Sequence, residues 1–409
     1  MAENQASIDS ALADRVLAKI KEDEVIGFLR ELVQIPTVNP PGDVRQGIAA
    51  VQAKLDGEGF DTSIIAKEEE KPNLVARLSN GDGPTLLFNA HLDVVPTGEE
   101  SAWSRPPFAA DIADGKVYGR GAGDDKASVT AQVMGAIALK RSGVPLQGTL
   151  IINEVADEEI GGALGAGLVA ADPSVTPDYV IVGEQTLGKV LIGEKGGAGT
   201  RVTVYGRAAH GALPWEGVNA IEGMARVIVA LQDELWPVLE RRTHKYFHHS
   251  SATISIIEGG VKTNVVPDRC SIFIDRRIIP GEAPNDVVKE IREIADRVIG
   301  KLPGMRVEVE HANPSGGREA ILNEPDNPVV QAMLAANSYL GFDTELSGFS
   351  MGTDGRHFHA QGYPTIIYGP GDPSLAHKPD EWVGVDEVMN AAKAYALGAL
   401  AILGQGSKS

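Results

Sequence analysis

The sequence contains only one cysteine, few aromatic residues (5%) and no apolar run of membrane-spanning length among its 409 residues. A lone Cys270 cannot form an internal disulfide, which favours a reducing compartment. A transmembrane helix needs about 20 consecutive apolar residues, so we expect none. The N-terminus lacks the apolar segment of a signal peptide, and we therefore expect a cytoplasmic protein with no membrane partner.

Positive charge is also scarce, because the formal net charge is −19. No block of lysine and arginine provides the basic surface that nucleic acid requires, so we expect no nucleic-acid partner. The apolar content of 43% and the charged content of 23% are typical of globular proteins. A chain of 409 residues exceeds one ordinary hydrophobic core, which predicts two domains.

Glycine is abundant, with 47 residues, and predicted strands alternate with helices over the first half of the chain. Residues 8–34 carry apolar residues at helical spacing. Short apolar runs predict strands at 61–66, 73–79, 85–90, 150–152 and 179–182, and small and apolar residues predict a helix at 127–142. This alternation indicates an α/β fold, in which helices cover a mixed sheet.

The pattern changes between about 194 and 311, where strands with one apolar face accompany two amphipathic helices. The element order β-α-β-β-α-β is that of a ferredoxin-like α+β sandwich. The α/β pattern then resumes, with a helix at 328–340, a strand at Thr365–Tyr368 and a helix at 386–403. We therefore predict a first domain made of residues 1–193 and 312–409, with residues 194–311 inserted as a second domain.

Acidic and histidine side chains occur where the predicted strands end. His91 and Asp93 end the strand at 85–90, Asp157–Glu159 follow the next strand, and Glu184 follows the one after it. Ligands bind beyond the carboxyl ends of strands in α/β sheets. Carboxylates buried together repel each other unless cations lie between them. Imidazole and carboxylate ligands without cysteine suit zinc, manganese or cobalt, and two such ions can clamp a hydrolytic water and a carbonyl oxygen.

Each signal has a second interpretation when it is taken alone. His91 could be a buried histidine capped by Asp93, and Asp157–Glu159 could be the solvated first turn of a helix, where acids are favoured. In an extended segment adjacent residues diverge, so one glutamate could bind metal while its neighbour acts as a general base. The glycine-rich segment Gly119–Lys126 is a poor phosphate-binding loop, because its two aspartates would repel phosphate.

Five motifs occur in an order that resembles the metallopeptidase family 20 amidohydrolases. The motifs are His91-Leu92-Asp93, Gly121–Lys126, Asp157–Glu159, Gly183-Glu184 and Ala376-His377-Lys378, and the likeness extends from Ile35 to Val388. The family includes acetylornithine deacetylase, succinyl-diaminopimelate desuccinylase, aminoacylase and a glutamate-releasing carboxypeptidase. The resemblance implies a zinc-exopeptidase-like catalytic domain with an inserted lid and dimerisation domain, and hence a homodimer.

The resemblance also implies a role for each polar residue at the strand ends. Glu158 is implied as the general base that activates a metal-bridging hydroxide, and Asp93 as the residue that orients His91. Two divalent ions are implied, with zinc expected and manganese or cobalt as alternatives. Their five ligands would be His91 and Glu184 on one ion, Glu159 and His377 on the other, and Asp124 between them.

Further matches lie in the inserted domain and shortly after it. The resemblance implies that His210 reaches the active site of the partner subunit and polarises the scissile carbonyl. Asn264 and Arg277 match residues that grip the substrate carboxylate, a task that suits the two-pronged guanidinium group. Gly352 and Thr353 match a family motif near the substrate pocket.

We therefore expect a metallohydrolase that cleaves the amide bond of a small N-acyl amino acid, as a deacetylase or desuccinylase does. Glutamate rather than aspartate at position 184 favours this branch over the carboxypeptidase. Three alternatives stay open, namely an exopeptidase or dipeptidase acting on a short peptide, a hydrolase of another C–N bond, and a non-catalytic metal-binding scaffold. The basic segment 241–249 either shapes a pocket or forms a surface loop.

Overall fold

The computed structural model describes residues 8–313 and 316–404. Over these residues the chain forms two compact units. The first contains residues 8–193, 323–349 and 353–404, and the second contains 194–322 and 350–352, apart from residues 314 and 315. The predicted division differs from this one in two short segments, 312–322 apart from residues 314 and 315, and 350–352, which cluster with the second unit.

A mixed sheet forms the centre of the first unit, as predicted. Four parallel strands lie side by side in it, in the order Gly148–Val155, Thr85–His91, Tyr179–Val182 and Thr365–Ile367. Antiparallel strands extend it on both sides, with Asn73–Asn80 and then Asp61–Ile65 on one side and Leu191–Glu194 on the other. Ser347–Phe349 also pairs with Leu191–Glu194. A separate antiparallel sheet joins Asp111–Ala113, Lys116–Tyr118 and Trp382–Gly384.

Helices cover the central sheet. Lys126–Ser142 is buried along almost its whole length, because it contacts both the sheet and the helix Val385–Leu403. The two helices approach closely at Gly135, where a Cβ atom would lie 2.8 Å from the carbonyl oxygen of Ala392. Further helices are Ser10–Leu17, Glu22–Val33, Arg45–Gly57, Ala166–Ala170, Pro328–Leu340 and Gly355–Ala360. None of the described helices is long and apolar enough to cross a membrane.

The single helical pattern predicted over residues 8–34 is wrong in one respect, because the structure has two helices there. The first is Ser10–Leu17 and the second is Glu22–Val33. Three acids, Glu22-Asp23-Glu24, fill the first turn of the second helix, where the helix dipole favours negative charge. These acids mark a helix start that apolar spacing alone did not indicate.

The second unit is an antiparallel sheet with helices in the predicted order β-α-β-β-α-β. Its strands pair in the order Ser251–Gly259, Arg269–Ile278, Thr200–Tyr205 and Arg306–His311. Val202 lies opposite Ile272 on one side and Val309 on the other, so the three side chains share one face of the sheet. They form one apolar core with the helices Ala220–Ala230 and Pro284–Ile299, which therefore cover the same face.

The segment 241–249 uses its charges and one aromatic ring in packing. Arg242 forms ion pairs with Glu282 at 3.0 Å and Glu290 at 2.5 Å, and the ring of Phe247 is buried. Glu282 also pairs with the fully buried Arg276 at 2.6 Å. The other side chains of the segment are partly or fully exposed, and the choice between a pocket wall and a surface loop stays a prediction.

Candidate metal centre

The carboxyl ends of the parallel strands bring the predicted ligands to one edge of the central sheet. His91 is the last residue of its strand, and Glu184 follows the neighbouring strand by two residues. Glu159 lies in the turn after the strand on the other side of His91. Asp124 precedes the helix that covers the sheet, and His377 follows the fourth parallel strand. The topology thus gathers residues from five separate parts of the chain.

The two oxygens of Asp124 face two different histidines. Oδ1 lies 3.2 Å from Nε2 of His91, and Oδ2 lies 3.3 Å from Nε2 of His377. Oε2 of Glu159 lies 3.2 Å from the same Nε2 atom of His377. Two ligands about 2.0–2.2 Å from one tetrahedral zinc ion are roughly 3.3–3.6 Å apart. One ligand atom from each of His91, Asp124 and Glu159 lies within 4.8 Å of the other two.

Such distances also suit hydrogen bonds between imidazole and carboxylate, so the charges around the cluster also have to be considered. Burial raises the pKa of Glu184 well above its usual range, and the charges of Asp124 and Asp125 raise it further. Burial likewise raises the pKa of Asp125 to about 8. Hydrogen bonds to Asp124 and Glu159 raise the pKa of His377 to about 10. Because the acids outnumber the histidines, divalent cations are the groups that would balance this cluster, and the donor set fits them.

Asp93 contacts His91 through its main chain rather than through its side chain. Nδ1 of His91 lies 2.9 Å from the main-chain carbonyl oxygen of Asp93 but 3.7 Å from its carboxylate, which is too long for a hydrogen bond. The carboxylate instead accepts the main-chain N–H groups of Glu158 at 3.1 Å and Glu159 at 3.2 Å. The side-chain amide of Asn39 donates to the same carboxylate at 2.7 Å. Asp93 therefore orients His91 through its main chain and holds the Glu158–Glu159 turn through its side chain.

The Glu158–Glu159 segment is a short 3-10 turn rather than the extended segment that we predicted. Asp157 precedes the turn in a left-handed conformation (φ 73°), and its carboxylate pairs with the buried Lys71 at 2.5 Å. The turn still separates the two glutamates. Oε1 of Glu159 accepts the N–H of Val95 at 3.2 Å while Oε2 faces His377.

Glu158 has the chemistry of a general base. Burial raises the pKa of its carboxyl group well above the usual range, with further contributions from the negative charges of Asp354 and Glu159. Within residues 8–313 and 316–404, burial and neighbouring charges rather than a side-chain hydrogen bond act on this carboxyl group. A glutamate with a raised pKa and free oxygens beside a metal-type cluster is suited to accept and return a proton.

The remaining predicted residues lie mostly in the second unit. His210 and Asn264 come together on a two-stranded ribbon, where the N–H of Gly211 donates to the carbonyl of Asn264 at 2.8 Å, and both side chains are exposed. Arg277 is half-buried on the strand Arg269–Ile278 and pairs with Asp275 at 3.1 Å. Gly352 lies in the second unit and the buried Thr353 in the first.

The sequence did not single out Asn39, Arg120 or Glu381, although all three are buried beside the candidate ligands. Asn39 bonds Asp93, and Glu381 accepts main-chain N–H groups in the loop that carries Asp124. The only sequence signal for Arg120 and Glu381 is that each lies close to a predicted ligand. Arg120 precedes Asp124 by four residues, and Glu381 follows His377 by four.

Comparison with known proteins is consistent with this geometry. A model of the peptidase family M20/M25/M40 matches residues 87–400. The succinyl-diaminopimelate desuccinylase of Bordetella petrii is 31% identical over 372 residues, covering 88% of this chain and 93% of that protein.

Two solved structures match the whole fold. Aminopeptidase PepT from Bacillus cereus aligns with a TM-score of 0.75 at 21% identity, over 94% of this chain and 99% of its own. The Bacillus subtilis YXEP protein, a dinuclear metal binding peptidase from the M20 family, aligns with a TM-score of 0.69 at 17% identity, over 96% and 99%. The predicted mixed α/β fold is thereby confirmed.

Proposed function

Because the chain belongs to the peptidase family M20/M25/M40 and is a metal-dependent amide hydrolase, we propose that it binds two divalent ions and cleaves a small N-acyl amino acid. The observation that carries the proposal is the position of Asp124, whose two carboxylate oxygens face His91 and His377 separately. An acid placed in this way suits a bridge between two ions. Glu184 completes the ligands beside His91, and Glu159 completes those beside His377.

The bound ions would activate a water molecule and polarise the amide carbonyl. Zinc is the proposed metal, and the same donor set admits manganese or cobalt. Glu158 takes the proton from the attacking water and returns it to the departing nitrogen. The free oxygens and raised pKa of its carboxyl group support this assignment, and so does the use of both Glu159 oxygens elsewhere.

The substrate class rests on the Bordetella petrii relative, whose name specifies removal of a succinyl group. Deacylation of an N-succinyl or N-acetyl amino acid is therefore our first proposal. The likeness to PepT supports a peptidase as the second, because a free peptide differs from an N-acyl amino acid mainly in the group on the acyl side.

We also propose that the protein acts as a homodimer in the cytoplasm. His210 of the partner subunit would donate to the carbonyl oxygen as negative charge develops there. Arg277 and Asn264 would grip the substrate carboxylate, and Gly352 and Thr353 would line the pocket. The exposed side chains of His210 and Asn264 on one ribbon support a role in contacts beyond their own unit.

Metal content and amide hydrolysis together test the proposal. The zinc-loaded protein is assayed by released amine on N-succinyl amino acids, N-acetyl amino acids and dipeptides, and its ions are counted by elemental analysis. We expect two ions per chain and turnover of at least one acylated amino acid. A chain that binds two ions and hydrolyses nothing in this panel would contradict the proposed activity.

Two neighbouring substitutions separate the ligand from the base. Glu158→Ala should lower turnover about 100-fold or more, because general-base catalysis is lost, while both ions stay bound. Glu159→Ala should instead lose metal. The exposed Glu68→Ala serves as the control for removal of a glutamate. If Glu158→Ala loses metal and Glu159→Ala retains it, the two roles are reversed.

A further inference from the structure

An ion pair is buried directly behind the ligand loops of the first unit. Arg120 and Glu381 are each only 1% exposed, and Nη1 of Arg120 lies 2.5 Å from Oε2 of Glu381. The aromatic ring of Trp103 lies 5.2 Å from the guanidinium carbon, and Nη2 of Arg120 reaches the carbonyl oxygen of Pro96 at 3.5 Å. Removing two charges from water is costly, and such a pair adds little to stability compared with apolar packing. Its position suggests another use.

Glu381 is bonded to both ends of the loop that carries the candidate bridging ligand. Its carbonyl oxygen accepts the N–H of Gly119 at 2.9 Å. Its Oε1 atom accepts the N–H groups of Gly123 at 2.9 Å and of Asp124 at 3.0 Å. The carboxylate therefore determines where the main chain of Asp124 lies, while Arg120 determines where the carboxylate lies.

Glu381 also belongs to the segment that carries the second histidine. His377 and Asp380 have left-handed main-chain conformations, with φ of 64° and 55°. Residues other than glycine seldom adopt this conformation, so the segment needs anchors to keep it. Oδ1 of Asp380 accepts the N–H of Ser104 at 2.7 Å, and Glu381 provides the neighbouring anchor.

We propose that Arg120 and Glu381 are positioning residues. They hold Asp124 and His377 at a set separation and would thereby keep these two ligands correctly placed for the two metal ions. The inference rests on the proposed function, because it concerns the geometry of those ions. Neither residue is a ligand: both Glu381 oxygens are already bonded to N–H groups, and the guanidinium of Arg120 has no lone pair to offer. Their effect on the ions passes through the main chain of the Asp124 loop.

If the Arg120–Glu381 ion pair only stabilised the fold, a different result would be expected. Loss of the pair would then lower the melting temperature and leave the metal geometry of the folded protein unchanged. A positioning pair changes the metal affinity and the ligand field even in protein that is fully folded. Outer contacts of this kind typically change metal affinity 10- to 100-fold when they are removed.

The test uses Glu381→Gln in the full chain, because glutamine keeps the shape and one acceptor but places an amide donor against Arg120. Zn²⁺ affinity is measured by competition with a chelator, and the Co²⁺-loaded protein is measured by visible absorption. We expect a 10- to 100-fold weaker affinity for at least one Zn²⁺ ion and a shifted Co²⁺ spectrum.

Asn337→Ala is the matched control. Asn337 is also fully buried in the first unit and joins two segments, since its amide donates to the carbonyls of Gly188 at 2.9 Å and Asp343 at 2.8 Å. Its loss should lower the melting temperature without altering the Co²⁺ spectrum. A second variant, Glu381→Asp, keeps the charge beside Arg120 but shortens the reach to the loop, and it carries the test if the glutamine variant does not fold.

The outcomes separate the two proposals. Unchanged Zn²⁺ affinity and an unchanged Co²⁺ spectrum in the folded Glu381 variants would overturn the positioning role and leave the proposed function intact. A wild-type chain that binds neither Zn²⁺ nor Co²⁺ would overturn both the positioning role and the proposed function. Weaker Zn²⁺ binding with a shifted spectrum, absent in Asn337→Ala, supports the positioning role.

Discussion

Asp93→Asn tests whether the Asp93 carboxylate acts on the Glu158–Glu159 turn or on His91. The side chain is fully buried, with Oδ1 bonded to the N–H of Glu158 and Oδ2 bonded to the N–H of Glu159 and to the amide of Asn39. The ring of His91 is held by the main-chain carbonyl of Asp93, which the substitution leaves in place. Asparagine therefore changes the support of the turn and spares the support of the histidine.

The expected magnitude follows from the number of hydrogen bonds that are lost. Asparagine has one acceptor oxygen where aspartate has two, so one main-chain N–H of the turn loses its partner. Oδ1 of Asn39 is buried without a hydrogen-bond partner. If the Asn39 amide rotates by about 180°, this oxygen can accept a hydrogen bond from the side-chain NH₂ of the asparagine at position 93. The net loss is thus one hydrogen bond to a charged group, about 1.5–3 kcal/mol. At ~1.36 kcal/mol per tenfold change in rate, kcat should fall roughly 10- to 150-fold.

The assay compares kcat for amide hydrolysis at increasing Zn²⁺ concentration. We expect the loss in Asp93→Asn to persist when Zn²⁺ is saturating, because the proposed ligands are still present and Glu158, the proposed general base, is misplaced. Asn39→Ala removes only the bond to Oδ2 and should cost less. Full recovery of kcat with excess Zn²⁺ would refute the reasoning, since the carboxylate would then act by holding His91 for the metal.

Three further predictions concern folding and the second unit. Burial alone would raise the pKa of Glu282, but interactions with Ser250, the N–H of Ile279 and Arg276 lower it below its usual value of 4.5. The ionised Glu282 carboxylate therefore stabilises the fold above pH 4.5, and this stabilisation is lost as the pH falls through the lowered pKa of the folded state. Glu282→Gln should therefore reduce the free energy of unfolding by about 3 kcal/mol at pH 7, with the gap to wild type closing in acid, as measured by urea titration. His210→Ala should lower hydrolysis about 100-fold without dissociating the proposed dimer, as measured by light scattering, and full activity would exclude the proposed role in the partner subunit. Gly135→Ala should cost about 1–3 kcal/mol in urea titration, because the added methyl group meets the carbonyl of the facing helix.

Local patterns in the sequence were sufficient to predict most of the strands and helices of the first unit. The apolar runs at 85–90 and 150–152 correspond to Thr85–His91 and Gly148–Val155, and the helix at 127–142 corresponds to Lys126–Ser142. Because carboxyl ends of parallel strands meet at one edge, the strand assignment alone was enough to group His91 with the glutamates that follow the neighbouring strands.

The contacts that hold the site could not be predicted in this way. Glu381 lies 257 residues from Asp124 in the sequence, and Asn39 lies 54 residues from Asp93. Periodicity and turn signals describe neighbours in the chain, whereas these bonds are decided by tertiary packing. The left-handed conformation of Asp157 was not predicted either, and the carboxylate of this residue pairs with Lys71, which lies 86 residues away in the sequence.

Hydrogen bonding divides the acids around the site into two groups with different consequences for mutation. Asp93 and Glu381 each have both carboxylate oxygens bonded to N–H groups. The oxygens of Asp124 face only histidine nitrogens, and those of Glu158 have no side-chain partner among the described residues. Acids of the first group hold main chain in place, and they can be replaced without removing a metal ligand. Metal content should therefore survive their substitution while affinity and turnover fall, whereas loss of Asp124 should remove the proposed shared ligand and with it at least one ion.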